Sequence, residues 1–143
     1  MKRVAIVLVV ASSLLGAVPP PSPPVTHVDA NVVAEALSHG GPLGTTEDYK
    51  VSGNFRNKPG EVEVHDHETD IFYMTAGEAT IITGGTVVGA RVTEPGQTRG
   101  SDIKGGQSHH VVKGDVMTIP AGTPHWFKEV SSPVSYFVVK VIK

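Results

Sequence analysis

The chain has 143 residues, enough for one domain with one core and too few for two. Basic and acidic side chains nearly balance, at 12 and 14, so charge argues for neither nucleic acid nor an acidic membrane as a partner. Cysteine is absent, which excludes disulfides, thiolate metal sites and thiol nucleophiles.

The chain opens on Lys2 and Arg3, an apolar run from Val4 to Leu15, and the small pair Gly16-Ala17. That is the layout of a secretory signal peptide, so residues 1–17 are expected to be cleaved and the protein exported, to a periplasm or the cell exterior. The apolar run falls short of the roughly 20 residues that span a bilayer, so no stable membrane insertion is expected after cleavage. Residues 18–27 follow as a linker rich in proline, with Pro19-Pro20-Pro21-Ser22-Pro23-Pro24 at its start. Fixed φ angles and missing backbone donors make it an extended spacer. The single folded domain is then residues 28–143.

Asp29 is placed to cap a short helix carrying Val32, Val33, Ala36 and Leu37, which Gly40-Gly41 ends. Their spacing gives one apolar stripe, expected to lie on a wall of β structure. From Tyr49 onward the pattern is that of short strands, at residues 49–55, 61–67, 71–75, 79–83, 86–93, 108–112, 115–119, 125–129 and 134–142. Gly84-Gly85, between two β-branched runs, signals a two-residue hairpin. The fold class is therefore all-β, a sandwich or small barrel with a short N-terminal helix.

Two stretches carry chemistry. In residues 60–77, His65 and His67 sit two apart in an alternating run, so an extended strand projects both from one face. Asp70 follows three residues after His67, with Glu68 one step off the His-x-His parity. In residues 114–129, Pro120 and Gly122 turn the chain so that His125 begins a returning strand in a fixed direction. Three imidazoles and a carboxylate make a site for one divalent ion among Fe, Mn, Ni, Cu and Zn, with open positions of the catalytic kind.

These two stretches resemble the motifs of the cupin superfamily. The first family motif runs Gly, five residues, His-x-His, three or four residues, Glu, six residues, Gly. Here Gly60, His65-x-His67, Asp70 and Gly77 follow it with shortened spacings. The second runs Gly, five residues, Pro-x-Gly, two residues, His, three residues, Asn, and Gly114, Pro120, Gly122 and His125 match it, with Glu129 at the Asn position. The resemblance implies an antiparallel cupin-type barrel (a jelly roll), usually dimeric, with the metal inside on His65, His67, Asp70 and His125. Asp70 is preferred to Glu68 because six residues separate it from Gly77. It would serve both as ligand and as proton acceptor.

Of the neighbours His109 and His110, only one can point into a barrel, as a base or substrate contact, and His110 is assigned that role. Arg91 and Arg99 are candidates for pairing with a substrate carboxylate. Two functions follow from these readings. One is an exported metalloenzyme acting on a small oxygenated molecule, by dioxygenase-like oxidation or by lyase or isomerase chemistry. The other is a non-catalytic module binding a sugar, an organic acid or a metal ion.

Overall fold

The structure, a computed structural model, describes Ser22 and residues 24–143. The expected signal peptide and most of the proline run lie outside the described residues. Among the described residues one helix, α1 (Ala30–His39), precedes thirteen strands: β1 (Gly41–Thr45), β2 (Tyr49–Arg56), β3 (Val62–His65), β4 (Glu68–Ala76), β5 (Glu78–Thr83), β6 (Thr86–Val88), β7 (Arg91–Glu94), β8 (Gln97–Gly100), β9 (Asp102–Lys104), β10 (Gln107–Val112), β11 (Val116–Ile119), β12 (His125–Val130) and β13 (Val134–Ile142). Among the described residues no helix is long and apolar enough to cross a membrane.

The strands pair antiparallel in two main sheets. One has the order β1-β2-β13-β4-β11, the other β10-β5-β12-β3-β8-β7, and β6 and β9 form a separate ribbon. Side-chain alternation fixes what each strand contributes to the space between the sheets. On β2, Lys50, Ser52, Asn54 and Arg56 line the interior, whereas Gly53 turns outward beneath α1. A Cβ at Gly53 would stand 2.8 Å from Ala36, so glycine here permits the close seating of helix on sheet. Gly40, at φ 83°, ends the helix and returns its N–H to the Ala36 carbonyl at 2.9 Å.

On β4 the buried set is Glu68, Asp70, Phe72 and Met74, two apolar residues following two acidic ones. Phe72 and Met74 pack with Ile81, Phe127, Tyr136 and Val138 as the centre of the core. Each large side chain so buried contributes about 1.5–3 kcal/mol. The acidic half of the same strand face is left for polar partners, which places the site at one end of the core.

Two expectations are corrected. The strand expected over residues 86–93 breaks at Gly89, φ 64°, into β6 and β7, which pair with different strands. Gly84 and Gly85 both have positive φ, but they do not close a hairpin. β5 pairs with β10 and β12, while β6 pairs with β9. A side chain at Gly85 would run into Lys104 and Gly106, so this turn accommodates the passing ribbon.

Candidate metal centre

β3 ends at His65, not at His67, and this sets the composition of the site. The chain bends at Asp66-His67 and restarts as β4 at Glu68. The Asp66 N–H donates to the Gly96 carbonyl at 2.9 Å, tying the bend to the turn between β7 and β8. With the alternation interrupted, His67 is exposed beside Gly96 and does not share the His65 face. The residue that does share it is Glu63, two positions earlier.

His65, Asp70 and His125 are brought together. They are 4%, 2% and 3% exposed, and Glu63 joins them from β3. Asp70 Oδ2 lies 3.6 Å from Nε2 of both His65 and His125. Glu63 Oε2 lies 3.3 Å from His65 Nε2 and 3.8 Å from His125 Nε2. Ligand atoms bonded at about 2.0–2.2 Å to one ion stand roughly 3–3.5 Å from each other, close to these separations.

The far side of each ring settles its tautomer. His65 Nδ1 donates to the Gln97 side-chain oxygen at 2.5 Å, and His125 Nδ1 donates to the Thr123 carbonyl at 3.1 Å. Each ring therefore presents a lone pair on Nε2, and both Nε2 atoms are buried without a hydrogen-bond partner. Two lone pairs aimed at two carboxylates repel unless a cation or a proton lies among them. This donor set fits a divalent metal ion.

Charges around the cluster are matched. Arg99 pairs with Glu63. Burial opposes ionisation of Glu63, but the adjacent His65 imidazole and the Arg99 charge outweigh it and hold the carboxyl down at about 2. Burial likewise opposes a second proton on His65, yet the neighbouring Glu63 raises its pKa overall, so a proton and a metal ion compete for the Nε2 lone pair. Burial lowers the pKa of His125 and keeps it neutral, the ligand form.

Glu68 also faces inward, with an oxygen 3.9 Å from His65 Nδ1. It is taken instead by two ammonium groups, Lys50 at 2.6 Å and Lys140 at 3.2 Å. His65 Nδ1 is already committed to Gln97. Asp70 is thus the carboxylate that faces both imidazoles, and Glu68 is the partner of the two lysines.

Three other assignments change. His110 projects from the outer face of β10, 61% exposed, 3.5 Å from Glu78, so it cannot act in the interior. His109 is the inward member of the pair, but it bonds Thr83 Oγ1 at 2.8 Å in a groove lined by β11 residues, apart from the metal cluster. Arg91 and Arg99 are engaged with Glu61 and Glu63.

Sequence reasoning missed Glu63, Gln97 and Lys140. A signal for Glu63 was present: four residues separate His65 from Asp70, within the family interval, and only two separate His67 from it. Read from His65, the motif becomes Glu63-x-His65, four residues, Asp70, six residues, Gly77.

Comparison with solved structures bears on the fold. The protein BH2720 of Bacillus halodurans superposes with a TM-score of 0.56 at 17% identity, over 87% of this chain and 85% of its own. The structure of KdgF from Halomonas sp. gives 0.52 at 13% identity, over 72% and 78%. A cupin protein from Bacteroides fragilis gives 0.47 at 15% identity, over 68% of each chain. The fold is that of a cupin. By sequence, no family model matches this chain and no curated protein does. The likeness is therefore one of fold, and the chemistry has to be argued from the site.

Proposed function

We propose that this cupin is an exported metal-dependent enzyme that acts on a small oxygenated molecule inside the barrel. The observation that carries the proposal is the pair of partnerless Nε2 atoms on His65 and His125, both facing Asp70 and Glu63. Those four side chains would hold one divalent ion. The two carboxylates make the set harder than three imidazoles would, which favours Mn, Fe or Zn over Cu. Bound there, the ion would polarise a carbonyl or hydroxyl oxygen of the substrate.

The chain's own groups do the rest. Lys140 holds Asp70 Oδ1 at 2.7 Å, so the carboxylate cannot rotate away from the imidazoles. A cavity of about 110 Å³ adjoins the cluster, with Phe72, Phe127 and Val138 as apolar walls and Tyr136 as a polar one. Burial raises the pKa of Tyr136, so its hydroxyl stays protonated at neutral pH and can donate to substrate. Lyase or isomerase chemistry suits Mn or Zn in this set. Dioxygenase-like oxidation suits Fe.

The deciding experiment is elemental analysis of mature protein purified without chelators or a histidine tag, followed by substrate screening before and after chelation. One ion per chain and turnover restored by one metal support the enzyme. Ligand binding without turnover in any metal form supports the non-catalytic module. Export is tested by the N-terminal sequence of protein recovered outside the cytoplasm, which should begin after Ala17.

The outer face of the five-stranded sheet suits a second copy of the chain. Tyr73 and Val116 pair across β4 and β11 there while 47% and 65% exposed. We read this cupin as a homodimer through that face.

A further inference from the structure

The cavity beside the metal cluster is lined by cationic and acidic side chains, and nearly all of them are paired. Glu61 takes Arg91, Glu63 takes Arg99, Glu68 takes Lys50 and Lys140, and Asp70 takes Lys140. Arg56, at the end of β2, lines the same cavity with no carboxylate among the described residues within ion-pair distance. Its Nε is buried without a hydrogen-bond partner. The guanidinium is nevertheless well held. Its central carbon lies 4.9 Å from the centroid of the Phe127 ring, and a Cβ at Gly60 would come within 2.5 Å of Nη1.

Arg56 is only half-buried, but its Nε is withdrawn from water without a partner, and a guanidinium fixed against an aromatic face is a planar, pre-set fork for an anion with two oxygens. We infer that Arg56 is the anchor for the carboxylate of the substrate, whose oxygenated end faces Glu63, Asp70 and His125. The proposal narrows the substrate to a short carboxylic acid bearing a hydroxyl or carbonyl group, and it rests on the reading of the cluster as the reacting centre. Size agrees: a cavity of about 150 Å³ accepts benzene, so one of about 110 Å³ suits an acid of two or three carbons. Arg56 also offers the fork that Arg91 and Arg99, already engaged with Glu61 and Glu63, cannot.

The test is calorimetric titration of the purified protein with glycolate and 3-hydroxypropanoate, each compared with its neutral amide, in metal-free and metal-loaded forms. At least one acid should bind tenfold or more tightly than its amide. Arg56→Gln should erase that ratio, and Arg56→Lys, which keeps the charge without the fork, should retain part of it. Metal content of both variants should equal that of wild type, because no ligand has changed. Equal binding of acid and amide, full acid binding by Arg56→Gln, or binding of neither acid in either form overturns the assignment. Failure of wild-type protein to take up metal would instead count against the metal centre, and the metal-free titration would still decide the role of Arg56.

Discussion

Lys140 divides the carboxylate of Asp70. Its ammonium lies 2.7 Å from Oδ1, while Oδ2 stands 3.6 Å from Nε2 of both His65 and His125. One oxygen is thus neutralised and the other is reserved. The same ammonium lies 3.2 Å from Glu68, so one β13 side chain sets the orientation of both acidic residues of β4.

Removing that ammonium should separate stability from metal affinity. Lys140→Met leaves two buried carboxylates with less counter-charge, and breaking such a pair costs about 3–5 kcal/mol when fully buried. Lys140 is partly exposed, so about 1–3 kcal/mol is expected here. Denaturant unfolding with and without the preferred metal checks this, and the deficit should shrink when metal is present. An equal deficit in both conditions would show that Asp70 does not face the ion.

The ligand assignment predicts opposite results for two neighbouring histidines. His65→Ala should abolish stoichiometric metal retention, whereas His67→Ala should retain it, because His67 lies outside the cluster. Gln97→Ala should weaken metal binding about 10- to 100-fold, as loss of a partner that orients a ligand histidine does. Elemental analysis and competition with a chromophoric chelator measure all three. Metal loss from His67→Ala would return that residue to the ligand set.

Acid should expose the lysine clamp on Glu68. Burial opposes ionisation of this carboxyl, but Lys50 and Lys140 overcome it and hold its pKa at about 2, below the ordinary 4.5. A depressed folded pKa gives stability that is complete above about pH 4.5 and lost as pH falls towards 2. The melting temperature of the metal-free protein should fall across that window. Glu68→Gln should start lower at pH 6 and fall less steeply, and an unchanged slope would reject the clamp.

The contact between α1 and β2 offers a control remote from the chemistry. A Cβ at Gly53 meets the backbone of Ala36 at 2.8 Å, so Gly53→Ala has to lift the helix. Overpacking of this kind costs about 1–3 kcal/mol. Chemical denaturation should show the loss while metal stoichiometry stays at the wild-type value.

The proposed dimer face is tested by charge. Tyr73→Glu with Val116→Glu places two carboxylates on adjacent strands of the outer face. Sedimentation should show a dimer for wild type and a monomer for the variant, and a monomeric wild type would end the proposal.

Asp70 and His125 were legible as candidates because a fixed piece of backbone flanks each of their strands. Pro120 and Gly122, φ 78°, aim His125, and Gly77, φ 73°, fixes the far end of β4 beneath Pro133, where no side chain fits. The half carried by β3 was misread because period-two alternation was extended through residues that bend. Nothing in Asp66-His67 forbids an extended conformation; the bend depends on a hydrogen bond to Gly96, thirty residues on. His109 and His110 failed for a related reason, since which of them faces inward depends on the register of β10 against β5. Lys140 was invisible as a site residue because its role comes from its cross-strand partner, Asp70.

The position of β13 bears on how the protein is made. It is the last strand in chain order, yet it lies between β2 and β4 and supplies Tyr136, Val138 and Lys140 to the cavity. Until residue 142 has emerged, β2 and β4 have no strand to join them, and the five-stranded sheet exists only as separate edges. The cavity walls that Tyr136 and Val138 supply, and the ammonium that holds Asp70, therefore come into place only when β13 is inserted between its two neighbours. Folding must wait for contacts between distant parts of the sequence, which is intrinsically slow.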